Sequence, residues 1–163
     1  MAKRVTEIEL EEDTQKGKYL TFILGEESYG IGIEHVIEII GLLPITVVPE
    51  LPDYIKGIMN LRGRIIPVMD MRLRFRKAFV DYDERTCIIV VEIGDNSVGL
   101  IVDRVSEVIN IADEDIVDQP MLSAGTSNRY IKRIGKVGSD VKMLLDCDAL
   151  LSHHESELIS NIG

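Results

Sequence analysis

The 163-residue chain carries 18 lysines and arginines against 28 aspartates and glutamates, a formal net charge of −10; that acidity argues against a general nucleic-acid coat, because phosphates want a positive field. With 45% hydrophobic and 28% charged residues, it has material for a folded core of one domain or two small packed subdomains. The longest uncharged stretch, Ile39–Pro49, is eleven residues, well short of the roughly 18 a spanning helix needs, and no apolar segment precedes the acids of MAKRVTEIELEED, so no secretion signal is expected.

Residues 1–17 hold five acids and no aromatic and read as a flexible acidic tail. Lys18–Leu24 alternates with Leu20, Phe22 and Leu24 on one face, a strand; Gly25–Ser28 reads as a hairpin turn and Tyr29–Ile33 as its return. Glu34–Ile40 fits a short helix or an irregular strand. Pro44, Pro49 and Pro52 bracket Ile45–Val48, a short strand confined to an edge or corner. Asp53–Met59 reads as a short helical turn, and Gly63–Met71 as a strand whose Pro67 implies an edge or bulge.

Beyond a polar link at Val80–Arg85, Thr86–Ile93 is nearly all apolar, as in a strand buried on both faces. Asp95–Ser97 turns the chain into Val98–Val102, and Val105–Ile111 continues as strand. An acidic loop follows, then a polar surface loop over Gln119–Asn128. Tyr130–Val137 and Val141–Leu145 form a third hairpin about Gly138–Asp140, and Asp146 or Asp148 is expected to cap a C-terminal helix around Ala149–Ile159. The bias to 23 Ile and 15 Val against 15 Leu and 5 Ala favours strands, since β-branched side chains lose rotamer freedom in helices. About ten short strands exceed one small barrel; a mainly β fold of two barrels sharing a core is expected.

The residues offer little for catalysis. Cys87 and Cys147 lie 60 residues apart in apolar runs and read as buried thiols in a reducing compartment. His35 stands alone, and the adjacent His153 and His154 point about 100° apart on a helix, unable to grip one metal together. Gly30 and Gly32 lack the third glycine of a dinucleotide loop, and no phosphate loop or hydrolase motif occurs. No cofactor and no metal are expected. Charge is unevenly placed: residues 56–77 hold seven cations and the single acid Asp70, a +6 segment in a remainder of −16. Arg72–Lys77 interleaves cations with Phe75, the least a single-strand nucleic-acid groove would use. Trp is absent and the surroundings are acidic, so no nucleic-acid partner is expected.

The segment Tyr54–Phe75, YIKGIMNLRGRIIPVMDMRLRF, resembles the hallmark of the CheW family of bacterial chemotaxis coupling proteins. Tyr29–Ile31, Val36-x-Glu38-Ile39, Gly99–Asp103 with Val105, Tyr130-Ile131 and Leu144–Asp146 follow in the family's order, over about Lys18–Leu151. The resemblance implies two interlocked five-stranded SH3-like barrels in residues 18–151, followed by a C-terminal helical tail over 152–163. It also implies a non-enzyme that bridges the cytoplasmic tips of methyl-accepting chemoreceptors to the regulatory domain of the histidine kinase CheA, recruited to arrays at the inner face of the cytoplasmic membrane without inserting. Receptor contacts are expected at Val36, Ile39, Gly57, Arg62, Gly99, Val105 and Val108, in a groove between the barrels. Kinase contacts are expected at Ile40, Leu42, Leu43 and Ile45, and an ion pair between Glu38 and Arg62. Arg133 departs from the glycine common in the family, which questions the local turn geometry.

Overall fold

A computed structural model describes residues 16–118 and 129–160. Eleven strands are described: β1 (Lys18–Leu24), β2 (Glu27–Gly32), β3 (Val36–Gly41), β4 (Ile55–Leu61), β5 (Arg64–Asp70), β6 (Cys87–Ile93), β7 (Asn96–Val102), β8 (Arg104–Asn110), β9 (Ile116–Asp118), β10 (Ile131–Val137) and β11 (Asp140–Leu145). Two short helices join them, α1 (Met71–Arg74) and α2 (His153–Ser160). The strands form a six-stranded sheet, β8-β1-β2-β11-β10-β9, and a five-stranded sheet, β3-β6-β7-β5-β4.

The five-stranded sheet curls until its edges meet. Beyond β3 the chain crosses to the opposite edge, where Thr46 and Ile58 of β4 exchange backbone hydrogen bonds of 2.8 and 2.9 Å. The other sheet repeats the plan, with β8 continuing into β9 at its far edge. Each sheet draws on both halves of the chain: β1 and β2 join β8–β11, while β6 and β7 join β3–β5. Each sheet has two junctions between the halves, one antiparallel (β1 with β8, β3 with β6) and one parallel (β2 with β11, β5 with β7). The halves resemble each other: Val36-x-Glu38 matches Val105-x-Glu107, and Tyr54-Ile-Lys56 matches Tyr130-Ile-Lys132. Two similar halves that exchange their first hairpins account for the interlock.

The strand buried on both faces holds the halves together. From β6, Ile89 and Val91 enter a large core between the sheets with Leu20, Phe22, Ile31, Leu100 and Val102. Ile88 and Val90 point into a smaller core with Met59, Leu61, Ile66, Val68 and Ile101, inside the five-stranded sheet. Removing this apolar surface from water, about 25 cal/mol per Å² buried, is the main force for folding.

The structure corrects four expectations. Residues 53–59 do not form a helical turn: Ile55, Gly57, Met59 and Leu61 alternate inward along β4, a period that Gly57 hides because it brings no side chain. Ile45–Val48 makes only the Thr46 bridge, since prolines on either side stop a ladder. Pro67 lies in an interior strand, and is accommodated there because pairing of β5 with β7 begins only at Val68. The C-terminal helix begins at His153, after a separate turn over Cys147–Leu150. Its N-terminus is a capping box: the Ser152 N–H donates to Glu155 at 2.7 Å, and the Glu155 N–H donates to Ser152 Oγ at 3.1 Å. Ambiguous Glu34–Ile40 resolves into a short turn, Ile33–His35, and strand β3. Arg133 sits in β10 at a bulge matching that at Gly57, not in a turn. The loop expected over Gln119–Asn128 and most of the tail over 1–17 lie outside the described residues.

Candidate interaction surface

The NLRG sequence builds an unusual corner. Leu61 is buried in the smaller core, and the hairpin from β4 to β5 turns on Arg62 and Gly63, with φ of +52° and +87°. Positive φ at both central residues is what a type I′ hairpin turn requires, and Asn-Gly is its favoured pair. Here Asn60 stands earlier and its Oδ1 accepts the Gly63 N–H at 2.7 Å. Arginine therefore occupies a left-handed position that disfavours a Cβ.

Its side chain reaches Glu38 on β3. Arg62 Nη1 donates to Oε1 at 2.7 Å and Nη2 to Oε2 at 2.9 Å, a bidentate pair joining the hairpin of one edge to the other edge strand. The Arg62 hydrogen bonds hold the Glu38 carboxyl below its ordinary range, so the pair persists as pH falls toward that range. With Arg62 side-chain exposure of 71% and that of Glu38 25%, it lies in high dielectric and adds little stability. A left-handed backbone thus holds an exposed, oriented guanidinium at this corner.

Val36, Ile39, Val105 and Val108 fall on the edge strands β3 and β8, and the two strands are equivalent in the two halves. Val36 matches Val105 and Ile39 matches Val108. Val36 and Val105 are half-buried against the large core, whereas Ile39 (44% exposed) and Val108 face solvent. Ile37, absent from the sequence-based set, is exposed beside Ile39; the alternation along Val36–Gly41 is the signal that would have found it. Gly57 and Gly99 are buried and belong to packing: a Cβ at Gly57 would lie 2.0 Å from the Thr46 carbonyl oxygen, and one at Gly99 2.9 Å from Ile88 Cγ2. Ile40, Leu43 and Ile45 pack half-buried on the smaller core, with Leu42 exposed among them. This apolar run crosses the mouth of the five-stranded barrel.

Basic side chains of the 56–77 segment are largely committed to holding elements together. Arg72 on α1 pairs bidentately with Asp103 at the β7–β8 junction, and Asp103 also accepts the Gly25 N–H at 2.7 Å. Burial alone would raise the Asp103 carboxyl, but hydrogen bonds from Arg72 and Gly25, with the charges of Arg72 and Arg104, hold it below the usual range. A lowered folded-state value contributes stability above the unfolded aspartate value and loses it as pH falls through the folded one. Acid titration of unfolding is expected to show Asp103→Asn less stable than the parent at pH 7, by about 1–2 kcal/mol. Its stability is also expected to fall less between pH 5 and 2; parallel curves would contradict the assignment.

Among the described residues no group of three metal-ligating side chains converges. Burial pushes the Cys147 thiol up to about 12, leaving almost no thiolate at neutral pH. No helix among the described residues is long and apolar enough to cross a membrane.

Comparison with known proteins agrees with this architecture. The CheW-like domain family matches residues 18–155. Chemotaxis protein CheW of Klebsiella aerogenes is 38% identical over 163 residues, covering 100% of this chain and 98% of that one. That of Treponema pallidum is 33% identical over 147 residues, covering 88% and 86%. The crystal structure of scaffolding protein TtCheW from Thermoanaerobacter tengcongensis superposes with a TM-score of 0.78 at 36% identity, covering 83% of this chain and 92% of that one. With a shared domain, relatives matched along nearly their whole length and a common interlocked fold, the chain belongs to the CheW family.

Proposed function

We propose that this chain is a non-catalytic chemotaxis adaptor that couples transmembrane chemoreceptors to the histidine kinase CheA. Relatives named as chemotaxis and scaffolding proteins support the adaptor role. The observation that carries the coupling reading is Arg62: a guanidinium held exposed on a left-handed turn, oriented by Glu38, beside outward apolar residues of an edge strand.

The receptor's cytoplasmic helical tip would lay its apolar face along the outward residues of β3 and β8, Ile39 and Val108, over the half-buried Val36 and Val105, with Arg62 at the polar rim. Gly57 and Gly99 would serve that surface by packing the sheet beneath it. The kinase regulatory domain would cover the barrel mouth at Leu42, over Ile40, Leu43 and Ile45. Receptor and kinase then bias each other's conformational populations through one rigid body, which needs differential contact free energy but no bond chemistry. The adaptor would reach the inner face of the membrane by receptor binding alone.

Two exposed positions separate the surfaces. Leu42→Asp is expected to weaken kinase pull-down roughly tenfold or more while receptor-membrane co-sedimentation persists, and Val108→Asp the reverse. Equal loss of both from either variant, with the fold intact, would show that the two surfaces are not distinct.

A further inference from the structure

The two halves repeat in register around their edge strands. In β3 the extra residue Ile37 precedes Glu38, after which Glu38 and Ile39 pair with Val90 and Ile89. In β8 the same irregularity sets Ser106 and Glu107 against Thr21 alone, before Val108 pairs with Leu20. The Thr21 hydroxyl donates to the Glu107 carbonyl at 2.7 Å and accepts the Glu107 N–H at 3.1 Å, fixing that residue on the strand. The hairpins repeat too. Leu61 and Arg64 close the turn Arg62-Gly63, as Val137 and Asp140 close Gly138-Ser139. Gly138 has φ of +63° where Arg62 has +52°.

The second half lacks one element of this corner. Where Arg62 reaches Glu38, Gly138 brings no side chain, and a Cβ added there would meet nothing within 4 Å. Glu107 is exposed and has no ion pair among the described residues. A surface carboxylate alone is solvated at little cost and calls for no partner. This one stands in a repeated frame: the same edge strand, the same left-handed turn and the same outward apolar neighbour, Val108 at 52% exposed, with only the cation left out. The first corner is neutralised within the chain; the second keeps an uncompensated negative charge. A helix laid over Val108 brings its own polar residues against that carboxylate, which repels an acid there and attracts a base.

We propose that Glu107 determines specificity on the receptor surface by pairing with a lysine or arginine of the docked receptor helix, which supplies in trans the cation that Arg62 supplies to Glu38. The inference rests on receptor docking along β8. Its test is co-sedimentation of the full chain with receptor-containing membranes at low and high salt, with kinase pull-down and thermal melting as checks on the fold. Glu107→Lys is expected to weaken co-sedimentation about tenfold at low salt. Glu107→Gln is expected to weaken it about threefold and to lessen its dependence on salt. Both are expected to leave kinase pull-down and the melting midpoint unchanged. Gly138→Arg places a cation in cis on a left-handed turn like that of Arg62, and is expected to weaken receptor binding about as much as Glu107→Gln. Gly138→Asn tolerates the same turn without charge and is expected to bind as the parent does. Val108→Asp separates the two levels of the reading. Loss of receptor binding in Val108→Asp with full binding by Glu107→Lys would overturn the charge pairing and leave docking on β8 standing. Full binding by both would overturn docking on β8 as well.

Discussion

Gly57→Ala is expected to open the five-stranded barrel and cost more than about 4 kcal/mol of stability, beyond the range of most single substitutions. The added Cβ would sit 2.0 Å from the Thr46 carbonyl oxygen and 2.8 Å from its carbon, both backbone atoms that no rotamer change can move. That carbonyl accepts the Ile58 N–H at 2.9 Å, half of the bridge joining residues beyond β3 to β4. Gly57 also has φ of +148°, which an alanine adopts only with strain. Accommodating the methyl breaks the bridge and exposes the smaller core of Met59, Leu61, Ile66 and Val68. Gly41→Ala in the same barrel is the control: its Cβ would meet nothing within 4 Å, and stability is expected to change by less than about 0.5 kcal/mol. Urea unfolding followed by circular dichroism separates the two, and equal midpoints would contradict the closure by Thr46.

Arg74→Ala is expected to cost about 3–5 kcal/mol, the usual consequence of removing one partner from a buried pair. With its side chain 8% exposed, Arg74 bonds Glu155 at 2.8 and 3.2 Å and the Leu150 carbonyl at 2.8 Å. Its guanidinium also lies 4.1 Å from the Tyr54 ring centroid and 4.7 Å from that of Tyr130, the equivalent tyrosines of the two halves. Truncation strands Glu155, which still caps α2 through Ser152, and leaves both rings without their cation. Glu155→Gln keeps the cap and a hydrogen-bond acceptor, and is expected to lose less than half as much. Losses of the same size from both variants would place the energy in the charge pair alone and not in the shared tyrosine contacts.

The legible parts of the fold were those where a two-residue period is carried by side chains. Lys18–Leu24 and Thr86–Ile93 could be read as strands because Leu20, Phe22 and Leu24, or Ile88 through Val91, state their faces outright. β4 was misread because Gly57 contributes no side chain at an inward position and Lys56 and Asn60 make the segment look polar. The exchange of hairpins between halves was written in the repeated Val-x-Glu and Tyr-Ile-Lys strings, but pairing between distant strands cannot be read from either string alone. At the surface, the NLRG motif marked the right corner, yet which of its neighbours face solvent depends on packing. Nothing in the motif names what Gly57 and Gly99 approach closely: the Thr46 backbone carbonyl and the Ile88 side chain. The +6 segment could not be divided from sequence into paired and outward charges; Arg72 and Arg74 are ties to Asp103 and Glu155, while Arg62, Arg64 and Arg76 are exposed.

The most direct test of the coupling function is receptor-dependent phosphorylation by CheA in receptor-containing membranes, measured with and without this chain. Addition of the chain is expected to raise phosphorylation and make it respond to receptor ligand. Arg62→Gly, which relieves the left-handed backbone and should melt no lower than the parent, is expected to retain about a tenth of that gain or less. No receptor-dependent gain from the unmodified chain would contradict the account.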